Sequence, residues 1–147
     1  AQDRHVEAAI THLGGGKWVA ASRRFEYLDL EIFLSDDDAL TWRPAGILDI
    51  KPVSSAHLLQ LSDGRLLLTY GKRADNDRGI DARLSRDGGR SWGPVQRLVA
   101  LENRDCGYPD AIELPGGRIL LAYYVNGIAE HQRYHMGVVN LTLDELK

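Results

Sequence analysis

The sequence predicts an all-β fold built from three copies of one unit, and three observations carry that expectation. The first is the octet Ser85-Arg86-Asp87-Gly88-Gly89-Arg90-Ser91-Trp92, which reads S-x-D-x-G-x-[ST]-W. A weaker copy, Ser35-Asp36-Asp37-Asp38-Ala39-Leu40-Thr41-Trp42, lies 50 residues upstream and has Ala39 in place of a glycine. The second is an apolar run, a Gly turn and another apolar run at 58–70. It recurs 53 residues later at 111–123 and, more loosely, 48 residues earlier at 10–21. The third is the period. Four short strands in about 50 residues is the repeat of a β-propeller blade.

Taken in order, each copy opens with a strand, a Gly turn and a more buried strand. A polar loop and a third strand follow, at 29–35, 79–85 and 134–142. The first two copies then carry the octet and a last short strand, near 46–50 and 95–99. The blades therefore fall at about 5–50, 51–101 and 102–147. The third copy ends Asn140-Leu141-Thr142-Leu143-Asp144-Glu145-Leu146-Lys147, without the Gly or the Trp. It is predicted to lack its hairpin and its outer strand.

The octet has a physical reading. Gly88 and Gly89 take positive φ without steric cost, so a tight hairpin forms there. The Asp87 carboxylate is short enough to accept backbone N–H groups within the turn. Trp92 supplies an apolar plate beneath it.

Bulk properties exclude several classes. The net charge is −3 and no basic stripe is present, which argues against a nucleic-acid partner. No apolar run approaches the length of a membrane-spanning helix. Cys106 is the only cysteine, so no internal disulfide forms. No Cys/His spacing suits zinc, and no motif calls for a cofactor. The start Ala1-Gln2-Asp3 suits either a removed signal peptide or a cloning scar. The compartment stays open, with a secreted or periplasmic one among the readings. Three blades do not close a ring, which takes at least about four. Either the chain is part of a longer propeller or two chains complete one ring. An open stack would leave aggregation-prone edges. The homodimer, which hides them, is the favoured form for a complete chain.

The octets at 35–42 and 85–92 and the shared framing of the inner strands resemble the Asp-box (bacterial neuraminidase repeat) propellers, above all the sialidase superfamily. Segments 58–71, 79–92 and 107–124 resemble uncharacterised bacterial members. The resemblance implies a six-bladed ring, of which this chain is half, and hydrolysis of glycosidic bonds on an acidic sugar. In that family three arginines bind the sugar carboxylate, the first in an Arg-Ile-Pro motif. The matching stretch here is Gly107-Tyr108-Pro109, so glycine stands where the arginine belongs. The family's nucleophile is a Tyr paired with a Glu, and its acid is an Asp on a mobile loop.

The octet hairpin and the inner Gly turns are expected on one face of the disc. The loops at 22–27, 72–78 and 126–133 and the connections at 51–56 and 102–109 share the other, where ligands bind in enzymatic propellers. On that face the candidate catalytic residues are Asp110, Tyr124 and His57, and the candidate substrate-binding residues are Arg23, Arg24, Arg73, Arg78 and Tyr108. A bidentate arginine suits a sugar carboxylate, and paired carboxylates suit glycoside hydrolysis. His57 and Asp110 occupy equivalent inner-strand positions. Tyr70 and Tyr123 are also equivalent and read as packing residues. Tyr124 aligns with Gly71 and is therefore the better nucleophile. Cys106 reads as a small, partly buried thiol. The alternative to an enzyme is a non-catalytic carbohydrate- or protein-binding half-propeller that dimerises, or an inactive half-propeller stable only as a dimer.

Overall fold

The structure, a computed structural model, describes residues 4–146; Ala1-Gln2-Asp3 and Lys147 lie outside the described residues. The first sheet runs β1 (His5–Gly14), β2 (Lys17–Arg24), β3 (Leu30–Ser35) and β4 (Arg43–Leu48), each antiparallel to the next. The second runs β5 (Val53–Gln60), β6 (Leu66–Ala74), β7 (Asp77–Ser85) and β8 (Gln96–Ala100). The third has only β9 (Cys106–Leu114), β10 (Arg118–Ile128) and β11 (His131–Thr142). A short 3-10 turn, Leu143–Glu145, stands where a fourth strand would begin. Arg65 holds it, donating to the carbonyls of Leu146 at 2.9 Å and Leu143 at 3.0 Å. The chain is a partial β-propeller.

The middle sheet is buried on both faces, and that explains its continuous apolar run. Side chains alternate across a strand. Leu66, Leu68 and Tyr70 of β6 pack with Val19, Ala21 and Leu34 of the first sheet. Leu67 faces the other way and joins Ile80, Leu84, Ile119, Leu121 and Leu141. The core is thus two slabs, one between each pair of adjacent sheets.

The two octets fold alike. Asp87 accepts the Ser91 N–H at 2.9 Å and Asp37 accepts the Thr41 N–H at 2.9 Å. Gly88 and Gly89 have φ of 69° and 85°. Asp38 and Ala39 are forced into the same left-handed region, at 61° and 63°, a conformation that costs an L residue about 1 kcal/mol. The first outer strand begins at Arg43, three residues ahead of the expected 46–50, because Gly46 sits in a bulge opposite Ile32 and Phe33.

Two ends of the sheets are distinct. The Asp38 N–H donates to the Gly16 carbonyl at 2.9 Å, so octet hairpin and inner Gly turn share one end. At the other, the Arg73 N–H donates to Pro52 and the Asn126 N–H to Asp105, both at 2.9 Å, joining β6–β7 and β10–β11 loops to the connections. Inner strands β1, β5 and β9 each break register near this end, between His5 and Ala8, between Val53 and Ala56, and opposite Ala122 and Tyr124. Such bulges re-aim side chains beside functional sites.

Candidate functional site

The bulge in β9 sets the site. Gly107 has φ of 134°, and a Cβ there would collide with Ser54 Oγ. The backbone passes so close to Ser54 and Gly71 that no arginine fits at the motif position. Tyr108, next along, is held at φ 48° with its ring half exposed. A large non-glycine residue in that region is strained, and strain of this kind collects at functional sites. Its hydroxyl reaches across to blade 1 and donates to Glu7.

Glu7 receives a second bond, from Arg23 Nε at 2.5 Å. Burial pushes the Glu7 carboxyl up, but the bonds from Tyr108 and Arg23 and the charge of Arg73 outweigh it, and the group ends below its usual range. From β6, Arg73 donates through Nε to the Cys106 carbonyl at 2.8 Å and through Nη2 to the Tyr124 hydroxyl at 2.7 Å. Tyr124 in turn donates to Asp105 Oδ1 at 2.7 Å. Tyr134 donates to the other Asp105 oxygen, and Asn126 Nδ2 approaches it at 3.4 Å. These bonds hold the Asp105 carboxyl below its usual range, Tyr134 contributing most. Burial, reinforced by the bond to Asp105, pushes Tyr124 up to about 12. Tyr124 is therefore a neutral donor at neutral pH, and Asp105 an anion.

The rings of Tyr108, Tyr124 and Tyr134 follow one another with centroids 5.8 Å and 6.1 Å apart. They line a cleft of about 440 Å³ with Asp110 and Met136. A polar rim beside an aromatic wall is the usual composition of a small-ligand site. Among the described residues no group of three or more His, Cys, Asp or Glu could hold a metal.

The structure therefore brings together Arg23, Arg73, Tyr108 and Tyr124, with Asp110 in the same cleft. His57 and Asp110 pair with each other, Nδ1 to Oδ1 at 3.0 Å, rather than with backbone. Arg24 does not join the cluster. Its guanidinium makes two 2.7 Å bonds to buried Asp29 and lies 4.2 Å over the Tyr27 ring, so it braces the β2–β3 loop. Arg78 lies farther out, donating to the Glu102 carbonyl at 2.6 Å and lining a neighbouring cleft. Tyr70 is fully buried, in keeping with packing. Cys106 is fully buried too, and burial pushes its thiol up.

Glu7, Asp105 and Tyr134 escape sequence reasoning. A signal existed for two of them. In the repeat frame Glu7 aligns with Ser55 and Asp105 with Pro52, departures of the same kind that single out Tyr124 over Tyr123.

Comparisons with known proteins agree with this architecture. A protein of unknown function from Dyadobacter fermentans superposes with a TM-score of 0.74 at 28% identity, over 94% of this chain and 38% of its own. The α-L-arabinofuranosidase Arb93A of Fusarium graminearum gives 0.69 at 16% identity, over 94% of this chain and 45% of its own. The leech intramolecular trans-sialidase gives 0.54 at 14% identity, over 88% of this chain and 23% of its own. This chain thus spans less than half the length of each. No curated protein sequence matches it. Residues 1–121 match the BNR repeat-like domain, and the chain belongs to that family of Asp-box propellers.

Proposed function

We propose that the chain forms the site of a carbohydrate-active enzyme that cleaves a glycosidic bond beside an acidic sugar. The observation that carries this reading is the Arg73–Tyr124–Asp105 relay at the open end of the inner strands. Tyr124 is unreactive as a neutral phenol. It becomes a nucleophile when its proton passes to Asp105 at 2.7 Å, while Arg73 donates to the same oxygen and stabilises the phenolate. The phenolate oxygen then bonds the anomeric carbon as the bond to the leaving oxygen breaks. Asp110, backed by His57, is the proposed donor of the leaving group's proton. Glu7 stays anionic and offsets positive charge developing on the sugar ring. Arg23, Arg73 and Tyr108 are the groups offered to the sugar carboxylate. Propeller-fold neighbours that include an arabinofuranosidase and a trans-sialidase support the carbohydrate class. The choice of an acidic sugar rests on the arginines.

Release of 4-methylumbelliferone from acidic glycosides tests the reading. Tyr124→Phe and Asp105→Asn are expected to lower kcat/KM about a hundredfold or more. Wild-type protein inert on both sialosides and uronides would remove the enzyme reading.

Tyr124's raised pKa favours a second reading, a lectin-like site that binds and does not cleave. Glycan-array binding that survives Asp110→Ala without any turnover is its expected signature. We also propose that a second copy completes the ring, since both outer sheet faces stay apolar: Val6 and Ile10 on the first blade, Ile112 and Met136 on the third.

A further inference from the structure

We propose that the cleft between Arg78 and Arg104 is a second subsite, which takes an acidic residue of a glycan chain whose neighbouring residue rests on the tyrosine cleft. This rests on the carbohydrate reading above and deepens it: the ligand is an acidic oligosaccharide rather than a lone terminal sugar.

Three observations carry it. The first is size and place. The cleft holds about 540 Å³ and opens at the same end of the sheets, between Arg78 at the start of β7, residues 102–104 of the connection and the β10–β11 turn. That volume is sugar-sized, like the tyrosine cleft of about 440 Å³.

The second is continuity. Asp105 bonds to residues that line each of the two clefts. Asp105 takes Tyr124 and Tyr134 from the tyrosine side. From the arginine side, Asn126 donates to its carboxylate, while the Asp105 N–H donates to Asn103 Oδ1 at 2.9 Å. Asn103 also donates to the Asn126 carbonyl. Asn103 and Asn126 both line the arginine cleft. A chain lying on Tyr108 and Tyr124 would therefore pass Asp105 to reach the arginine cleft.

The third is charge. Arg78 and Arg104 line the cleft against one carboxylate, Glu102. Arg78 is anchored by the Glu102 carbonyl at 2.6 Å, and its only carboxylate contact is a long one, 3.4 Å to exposed Asp75. Arg104 has no carboxylate partner among the described residues. One fixed and one free guanidinium suit a bidentate, planar anion on a sugar, a carboxylate or a sulfate.

The test is calorimetric titration of the assembled protein with two size ladders, oligogalacturonates and carrageenan oligosaccharides, which carry sulfate and no carboxylate, each beginning at the monosaccharide. The second acidic residue is expected to tighten binding about tenfold, the worth of one charge-assisted contact. Arg104→Gln should erase that step and leave monosaccharide binding unchanged. Arg133→Gln, an exposed residue outside the lining, should leave the whole ladder unchanged. Whichever ladder shows the Arg104-dependent step identifies the anion as carboxylate or sulfate. A flat ladder, or a step that survives Arg104→Gln, overturns the subsite while the carbohydrate reading stands. Failure of every length to bind, monosaccharide included, overturns both.

Discussion

At the scale of single residues, Gly107 shows how a motif position is lost without loss of the fold. Its φ of 134° already disfavours any side chain, and the space a Cβ would need is taken by Ser54 Oγ on one side and bounded by the Gly71 backbone on the other, 3.5 Å away. Gly107→Ala is therefore expected to lower stability by about 1–3 kcal/mol in urea denaturation. Combining it with Ser54→Gly should recover part of that loss; no recovery would mean that the strain lies in the backbone and not in the contact. Tyr134 permits a sharper test of the relay. Its hydroxyl is the largest influence holding the Asp105 carboxyl down. The relay needs Asp105 ionised, so activity is present above its pKa and lost as pH falls through it. Tyr134→Phe removes the donor, raises the Asp105 pKa, and should move the acid limb of kcat/KM to higher pH. An acid limb that stays put would exclude Asp105 as the proton acceptor.

At the scale of elements, the octet hairpins were legible because the side-chain bonds that close each turn lie within eight residues. Ser85, Asp87, Gly89 and Ser91 form a closed set of local bonds, and the weaker copy repeats it despite Ala39. The start of β4 was less legible, because the bulge at Gly46 is decided by pairing with β3 and not by its own sequence. Acid should weaken these hairpins. Bonds from Ser91 lower the Asp87 carboxyl from 3.8 to about 2. A depressed carboxylate contributes stability above its unfolded pKa and loses it as pH falls through the folded value. The contribution is thus complete above about pH 4 and fades toward pH 2. Asp87→Asn should lower the thermal midpoint at neutral pH and flatten its fall between about pH 4 and pH 2. An unchanged acid slope in the variant would assign the acid sensitivity to other carboxylates.

At the scale of the whole molecule, the blades were readable and the site was only half so. The repeat frame locates Arg73, Tyr108 and Tyr124, since each belongs to a strand or loop whose place the frame fixes. It does not reveal that Tyr108 crosses to Glu7, 101 residues away, because that contact depends on how blades 1 and 3 converge on the axis. The same frame bears on assembly. Leu59 and Leu67 of the second blade are covered by the third, and their equivalents on the third are Ile112 and Leu120. Leu58 and Leu66 pack on the first blade, and their equivalents there are Ile10 and Trp18. Both outer faces thus keep blade-packing chemistry, yet Ile112 is 51% and Ile10 59% exposed. Apolar faces of this kind seek a partner. If a second copy supplies it, the third blade of each chain meets the first blade of the other, and the tyrosine cleft gains a wall beside Met136. Light scattering should then give twice the 16.4 kDa chain mass, and Met136→Glu or Ile10→Glu should halve it. The same variants should weaken glycan binding, because they open the cleft. A monomeric wild type would assign the missing wall to further blades of a longer propeller, and a mass that grows with concentration would reveal an open stack.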